Sequence, residues 1–259
     1  MNKLCGISIA KNCVLYDYCI KENILSLLDV CDFVICGFVE SKEDDGTLEL
    51  IKSIQNPNLR ILVIPEEEWD LYNGKERLAY ITNIVLEDAD RLGFQYVLYV
   101  QADEIIDPIS YNAIRMAIND NEEGYLCKRI NLWGSPYKEL FVSNDRLPCS
   151  TSVLRLAKSR CRAYGDAESL AAKANTNYFN DILIWHMGFV RKRSVMKSKI
   201  INMQQGVFAM IDYDKKLDKE EQFNPNLWFN PHLDLIPIHK ELPNVIKEWA
   251  AERAKDYEK

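Results

Sequence analysis

The chain has 259 residues, 47% of them hydrophobic, and a formal charge of −7. Length and hydrophobic share suit one large domain with a real core, or a domain with an appendage, and the acidic balance argues against nonspecific nucleic-acid binding. No run approaches the roughly 18 apolar residues of a membrane-spanning helix, and "MNKLCGISIAKNC" lacks the long apolar run and small-residue cleavage site of a signal peptide.

The N-terminal stretch reads instead as a first strand, "LCGISIA". Then "YDYCIKENILSLLDVC" places Cys19, Ile20, Ile24, Leu27 and Leu28 at helical spacing. "DFVICGFV" is a second strand, and "DDGTLELIKSI" opens with turn residues that predict a helix from near Thr47. "RILVI" is a third strand, "KERLAYITNIVLEDADRLG" a long amphipathic helix closed by Gly93, and "YVLYV" a fourth strand. Four strand–helix alternations predict an α/β fold with a mainly parallel central sheet flanked by helices. After Asp107 the pattern changes. "PISYNAIRMAIN" is a helix with Pro in its first turn. "EGYLCKRINLW", "STSVLRLA" and "DILIWHMGFV" are strands, and a basic helix follows them. The four prolines of "FNPNLWFNPHLDLIPIHKELP" predict an extended wrap, then a last helix from about Asn244. With no repeat and no linker, residues 1–259 form a single domain: a binding half over 1–110, a second half over 111–205, and the wrap and helix over 206–259. None of the eight cysteines forms a CxxC pair, and five of them crowd the apolar first forty residues. They read as reduced thiols of a cytoplasmic protein, with a zinc site disfavoured.

The stretch "YVLYVQADEII" poses the functional question. A buried strand delivers Asp103 and Glu104 to its tip. Acids are seldom buried unless paired or bound to a cation, and strand ends of open α/β sheets are where ligands bind. Alternatively, the two acids only cap the helix opening at Pro108.

The first 110 residues resemble the nucleotide-binding half of a GT-A glycosyltransferase, most of all family 2. "CDFVICGFVESKEDDGTLELIKSI" is similar to that family's second strand and turn, with Glu40 at the acidic position and Asp45-Gly46-Thr47 in the turn. "YVLYVQADE" resembles the fourth strand and its D-x-D motif in the branch that reads DADE. Ala102, Asp103 and Glu104 agree, and Gln101 replaces the first Asp. The resemblance implies a nucleotide-sugar donor, UDP- or GDP-linked, and a divalent cation, Mn²⁺ or Mg²⁺, to neutralise the leaving diphosphate. It places Asp103 as a metal ligand and Gln101 and Ala102 beside the donor. It sets Ala10, Lys11 and Asn12 around the base, Glu40 against base or ribose, and Lys75 and Arg77 near the nucleotide. In "ILIWHMGFVRK", His186 resembles the C-terminal His that completes the metal site, and Arg191 would reach the diphosphate. The alternatives are a core histidine and a solvated basic face.

Transfer of a hexosyl or pentosyl group with inversion needs a general base beside the acceptor hydroxyl. Asp166 and Glu168 in "AYGDAESL" lie between a strand-like segment and an expected helix, with Asp166 the better N-cap. Trp133 and Tyr137 in "NLWGSPY" are candidate stacking platforms for an acceptor sugar, although such aromatics are more often core. The acceptor classes left open are a glycan, a lipid-linked or other hydroxyl, and a modified DNA base. Two other functions compete. A sugar-nucleotide nucleotidyltransferase would carry a Gly-rich basic loop after the first strand, and "GISIAKNCVLYDY" has none. A non-catalytic nucleotide-sugar-binding protein on the same frame is favoured by Gln101. A dinucleotide oxidoreductase is disfavoured because no GxGxxG follows the first strand.

Overall fold

The computed structural model describes residues 2–142, 151–172, 176–192, 195–196, 198–199 and 233–255. The expected α/β fold is present. Strands β1 (Leu4–Ala10), β2 (Phe33–Val39), β3 (Leu59–Ile64) and β4 (Tyr96–Tyr99) pair in parallel in the order β3-β2-β1-β4. Helices α1 (Ile20–Leu28), α2 (Thr47–Lys52), α3 (Glu66–Asp70) and α4 (Glu76–Arg91) make the crossovers. Beyond β4 the sheet becomes mixed. Strand β8 (Ser152–Lys158) lies antiparallel to β4, and β6 (Gly124–Trp133) lies antiparallel to β8. Strand β11 (Thr176–Phe189) runs parallel to β6 and pairs antiparallel with the short β5 (Glu104–Ile106). Strands β7 (Lys138–Val142) and β12 (Leu233–Pro237) extend the far edge.

Alternation along the strands builds two cores, one on each face. Leu4, Val34, Cys36, Leu98 and Val100 pack with Ile20, Ile24 and Leu27 of α1. Their neighbours Cys5, Ile7, Ile35, Val97 and Tyr99 pack with Ile81, Val85 and Ala89 of α4. This period of two is what a strand buried on both faces requires. Gly37 sets the approach of α4, because a Cβ there would lie 2.5 Å from a Val85 methyl. A third core joins Leu132, Trp185, Met187 and Val190 to Ile246, Trp249 and Ala250 of the last helix, α6 (Asn244–Ala254). Ion pairing of Arg253 with Asp17 ties α6 to the loop after β1.

The helix expected at Thr47 starts there, and that expected from Asn244 does too. The helix expected from Pro108 is a 3₁₀ turn over Pro108–Ser110 followed by α5 (Tyr111–Ala117). Its cap is Asp107, whose carboxylate accepts a hydrogen bond from the Ile109 N–H at 3.0 Å. Asp103 and Glu104 therefore do not cap it. The described cysteines are free and buried, among them Cys5, Cys13, Cys19, Cys31 and Cys36. Among the described residues, no helix is long and apolar enough to cross a membrane. Arg193 and Lys197 of the basic run, and most of the proline-rich wrap, lie outside the described residues.

Candidate active site at the carboxyl end of β4

Two sheet registers assemble the centre of the site. Glu104 of β5 stands opposite His186 of β11, and His186 stands opposite Asn131 of β6. The Met187 N–H donates to the Asp103 carbonyl at 2.7 Å, which draws the start of β5 onto β11. His186 Nε2 consequently lies 3.9 Å from Asp103 Oδ1, while its Nδ1 is 2.8 Å from Asn131 Oδ1. With the Asn131 amide in this orientation Nδ1 is the donor, and Nε2 is the ring nitrogen that faces Asp103. Burial pushes the imidazole pKa down to about 3, against the pull of Asp103, so the ring is neutral. Gly188 makes room for it, since a Cβ there would sit 2.4 Å from Nε2.

On the other side of Asp103, Oδ2 meets two cations. Arg191 Nη2 is 3.1 Å away and Lys199 Nζ 3.4 Å away. Burial opposes ionisation of Asp103, but Lys199 and Arg191 outweigh it and hold the carboxyl well below its ordinary value. Arg191 is fully buried. It also donates to the carbonyls of Tyr16 at 2.6 Å and Asp17 at 2.8 Å, and lies 4.0 Å from the Tyr18 ring centroid. The loop after β1 is thereby fastened to the segment after β11. Asp103 Oδ2 is thus bound by a guanidinium and an ammonium group, while Oδ1 faces a neutral imidazole.

A second cluster begins one residue along the chain. Glu104 is fully buried, 2.6 Å from Arg155 and 3.3 Å from Arg129. Arg129 also pairs with Glu168. The loop of Asp166 and Glu168 is held against β4 by two further bonds to the Ala167 carbonyl, from Gln101 Nε2 at 3.3 Å and Arg155 Nη1 at 3.5 Å. The local expectation was wrong here. Among the described residues no helix follows Asp166, and the segment is instead the turn between β9 (Arg162–Ala163) and β10 (Leu170–Ala171), a two-stranded hairpin. Gly165 at φ 59° and Ala167 at φ 54° make the turn, and Leu170 is buried in the α4-side core. Asp166 Oδ1 accepts from the Glu168 N–H at 3.1 Å, so it braces the turn rather than a helix.

The expected base-binding end also gathers at the sheet edge. Lys11 Nζ donates to the Glu40 carbonyl at 2.5 Å and to Ser41 Oγ at 2.9 Å. Ser41 Oγ in turn donates to Asn12 Oδ1 at 2.6 Å. Asn12 adopts φ 51°, a left-handed turn two residues after buried Ala10. The Asp45-Gly46-Thr47 turn is scaffolding for that loop. Asp45 Oδ2 accepts from the Leu15 N–H at 2.8 Å, and Thr47 Oγ1 from the Val14 N–H at 3.1 Å. Arg77 and Lys11 both lie against the Trp69 ring, at 5.2 and 5.5 Å. Lys75 is exposed just ahead of α4. Ala102 is buried, and its carbonyl accepts from the Cys19 thiol at 3.6 Å. Trp133 is 3% exposed and packs on Phe189 at 4.5 Å, so it belongs to the interior, whereas Tyr137 is exposed.

The structure thus brings Asp103, His186 and Arg191 into one cluster, Gln101 with Asp166 and Glu168 into another, and Lys11, Asn12, Glu40 and Arg77 into a third. Among the described residues Lys75 and Tyr137 join none of them, and Trp133 lies behind the first, packed on the Phe189 ring that His186 meets edge-on. Asn131, Arg129, Arg155 and Trp69 carry no local sequence signal of a site, and Lys199 is one of several cations in the basic stretch after Arg191.

A divalent cation passes a limited fit test. Asp103 Oδ1 and the neutral Nε2 of His186 converge as two ligands of types that Mn²⁺ accepts. Among the described residues, no group of three or more His, Cys, Asp or Glu side chains is placed to hold a metal. Such ions commonly keep one or two protein ligands and complete their shell with phosphate oxygens and water. The residues fit an ion that arrives with a diphosphate.

No protein-family model and no curated protein matches the chain. Among solved structures it is similar to S. aureus TarS 1–349 in complex with UDP, at 16% identity and a TM-score of 0.46, over 88% of this chain and 72% of that one. It is also similar to glucosyl-3-phosphoglycerate synthase from Mycobacterium tuberculosis, in complex with Mn²⁺, UDP and phosphoglyceric acid. There the identity is 13% and the TM-score 0.47, over 92% of this chain and 87% of that one. A third, 4-diphosphocytidyl-2C-methyl-D-erythritol synthase from Anaerococcus prevotii, is 10% identical with a TM-score of 0.42, over 70% and 89% of the two chains. At such identities and scores these likenesses carry no functional weight, and the reading below rests on the chain's own residues.

Proposed function

We propose that the protein is a GT-A-like glycosyltransferase that moves a sugar from a UDP- or GDP-sugar to an acceptor hydroxyl, with inversion. The observation that carries this reading is the Asp103–His186–Arg191–Lys199 cluster at the carboxyl end of β4, the edge at which open α/β sheets bind ligands. The base and ribose lie along the β1 and β2 ends, among Ala10, Lys11, Asn12 and Glu40, with Arg77 and Trp69 at the margin. The diphosphate lies towards Arg191. A cation held by Asp103 and His186, when bound, supplies further neutralisation of the leaving group. Asn131 fixes the imidazole so that Nε2 faces the pocket. Glu168 or Asp166 accepts the acceptor's proton, from a turn that Arg129 and Gln101 hold against β4.

A hydrolysis screen of nucleotide sugars, with Mn²⁺ and with EDTA, tests this function. The expected result is release of one nucleoside diphosphate, accelerated by a hydroxyl acceptor and lost in Asp103→Asn. Release of pyrophosphate from a nucleoside triphosphate and a sugar phosphate would instead identify nucleotidyl transfer. Turnover by Asp103→Asn at the wild-type rate would sink the site.

A further inference from the structure

Strand β5 and the turn before it have two backbone edges. The odd-numbered positions face β11. The Asp103 carbonyl accepts from the Met187 N–H at 2.7 Å, and the Asp107 N–H donates to the Leu183 carbonyl at 3.0 Å. The even-numbered positions point the other way, as the alternation of an extended chain requires. Among the described residues no strand pairs with that second edge, and side chains of α1 take its place. The Cys19 thiol donates to the Ala102 carbonyl at 3.6 Å, Asn23 Nδ2 donates to the Glu104 carbonyl at 2.7 Å, and Ser26 Oγ accepts from the Ile106 N–H at 3.4 Å. These three side chains are fully buried and stand at i, i+4 and i+7, on one helix face.

Asn23 makes one bond more. Its Nδ2 also donates to the Gln101 carbonyl at 2.8 Å, so a single amide group spans the turn from Gln101 to Glu104. That turn is closed by the Glu104 N–H on the Gln101 carbonyl at 2.8 Å and by the Gln101 N–H on Glu104 Oε2 at 3.0 Å. Two carbonyls fix the orientation of the Asn23 amide, since only its NH₂ end donates. Its Oδ1 meets no partner among the described contacts, and asparagine is a weak helix former. Both are costs, and the two bonds to the turn that carries Asp103 are what offset them.

We propose that Asn23 is a positioning residue of the candidate site: it locks the turn from Gln101 to Glu104, and so sets Asp103 in place before a cation and a diphosphate arrive. The ligand half of this inference rests on the transferase reading, and the lock itself does not. Asn23 acts through the backbone of the turn, from a helix that lies beneath the site.

The test uses the full chain as wild type, Asn23→Leu, Asn23→Ser and Ile24→Ala. Leu keeps the size of the side chain and removes the donors. Ser keeps one shorter donor and serves if Asn23→Leu does not fold. Ile24→Ala is the control: it opens a cavity in the neighbouring core and lowers stability, with the bonds to the turn left in place. Amide hydrogen exchange is followed at residues 101–104, and UDP and GDP are titrated by calorimetry in Mn²⁺. In the Asn23 variants the Gln101 and Glu104 amides should exchange at least about tenfold faster than in Ile24→Ala, a local opening rather than a global one. Nucleotide affinity should fall by about 10–100-fold, the range for losing a group that orients a metal ligand. Ile24→Ala should bind both nucleotides as wild type does, even where its urea midpoint falls as far. Exchange at 101–104 no faster than in the control overturns the lock. Faster exchange with wild-type nucleotide affinity overturns the positioning role, and so does an equal loss of affinity in Ile24→Ala. If wild type binds neither nucleotide, the transferase reading and the ligand half fall together, and exchange still decides whether Asn23 holds the turn.

Discussion

Asp103 and Glu104 are neighbours in the chain, both buried, and each meets two cations, yet they sit in different kinds of site. Glu104 is fully enclosed, and Arg129 and Arg155 around it are themselves buried. Arg129 continues to Glu168, so among the described residues two carboxylates answer two guanidinium groups. Asp103 lies against Arg191 and Lys199, beside an imidazole kept neutral by burial. The Glu104 cluster is balanced among the described residues and joins β5, β6, β8 and the β9–β10 turn. The Asp103 cluster sets a carboxylate beside a neutral imidazole at the sheet's carboxyl edge, two side chains of types that take a cation. Enclosure between strand-borne guanidinium groups marks a structural pairing, and a perturbed pair at a sheet edge marks a place prepared for a ligand.

The largest effect should come from breaking the balanced side. Glu104→Gln leaves two buried guanidinium groups with too little counter-charge, and removing one partner of a buried ion pair typically costs roughly 3–5 kcal/mol. Urea unfolding should show a loss of that order, or failure to fold. A midpoint unchanged from wild type would mean that water reaches the arginines and that the cluster is not structural.

The next change targets the Asp103 side. Asp103→Asn should cost less stability than Glu104→Gln, because Arg191 keeps the Tyr16 and Asp17 carbonyls and Lys199 keeps that of Gly188. Transfer should nevertheless fall by about 10²–10³-fold, the scale of a lost electrostatic contact to a leaving group. Unfolding and turnover measured on the same preparation separate the two clusters. Equal stability losses in both variants would erase the distinction between them.

The β9–β10 turn touches the balanced cluster and supplies the proposed base. Asp166→Asn and Glu168→Gln should each leave UDP or GDP affinity near wild type, and one of them should cut transfer by about 10²-fold. Glu168→Gln should also lower stability modestly, since it removes the charge from one of the ion pairs of buried Arg129. Full turnover by both variants would remove this turn from the chemistry.

The parallel frame was legible because each strand is an apolar run and each helix has its own period. Asp103, His186 and Arg191 were legible because motif residues happened to sit at strand ends. What stayed hidden depends on register between distant strands. Nothing local to Asn131 says that β6 will set it opposite His186, and nothing near Arg155 says that it will reach Glu104 across β8 and β5. The missing helix after Asp166 has a different cause. "DAESLAAKA" has good helix formers, but burial of Leu170 and the pairing of β10 with β9 override propensity there.

The smallest effect, and the most selective, concerns His186. Its ordinary pKa of 6.5 is lowered to about 3 in the fold, chiefly by burial. A folded-state pKa below the unfolded one means that the unfolded chain binds the proton more readily, so stability rises with pH across the gap. The contribution is fully present above about pH 6.5 and is lost progressively as pH falls towards 3. Within that window each pH unit should shift the folded-to-unfolded ratio by up to about tenfold. Carboxylates also titrate at the lower end, so wild type alone cannot isolate the effect. His186→Asn removes the titrating group and keeps a polar side chain beside Asn131. The difference in urea midpoint between wild type and His186→Asn should therefore be constant above pH 7 and shrink from pH 6.5 to 4.5, where most carboxylates are still ionised. A difference that stays flat over that interval would mean that the imidazole takes up its proton as readily in the fold as in the unfolded chain. Burial would then not hold His186 neutral, and below about pH 6.5 it would be a cation beside Asp103 rather than a metal ligand.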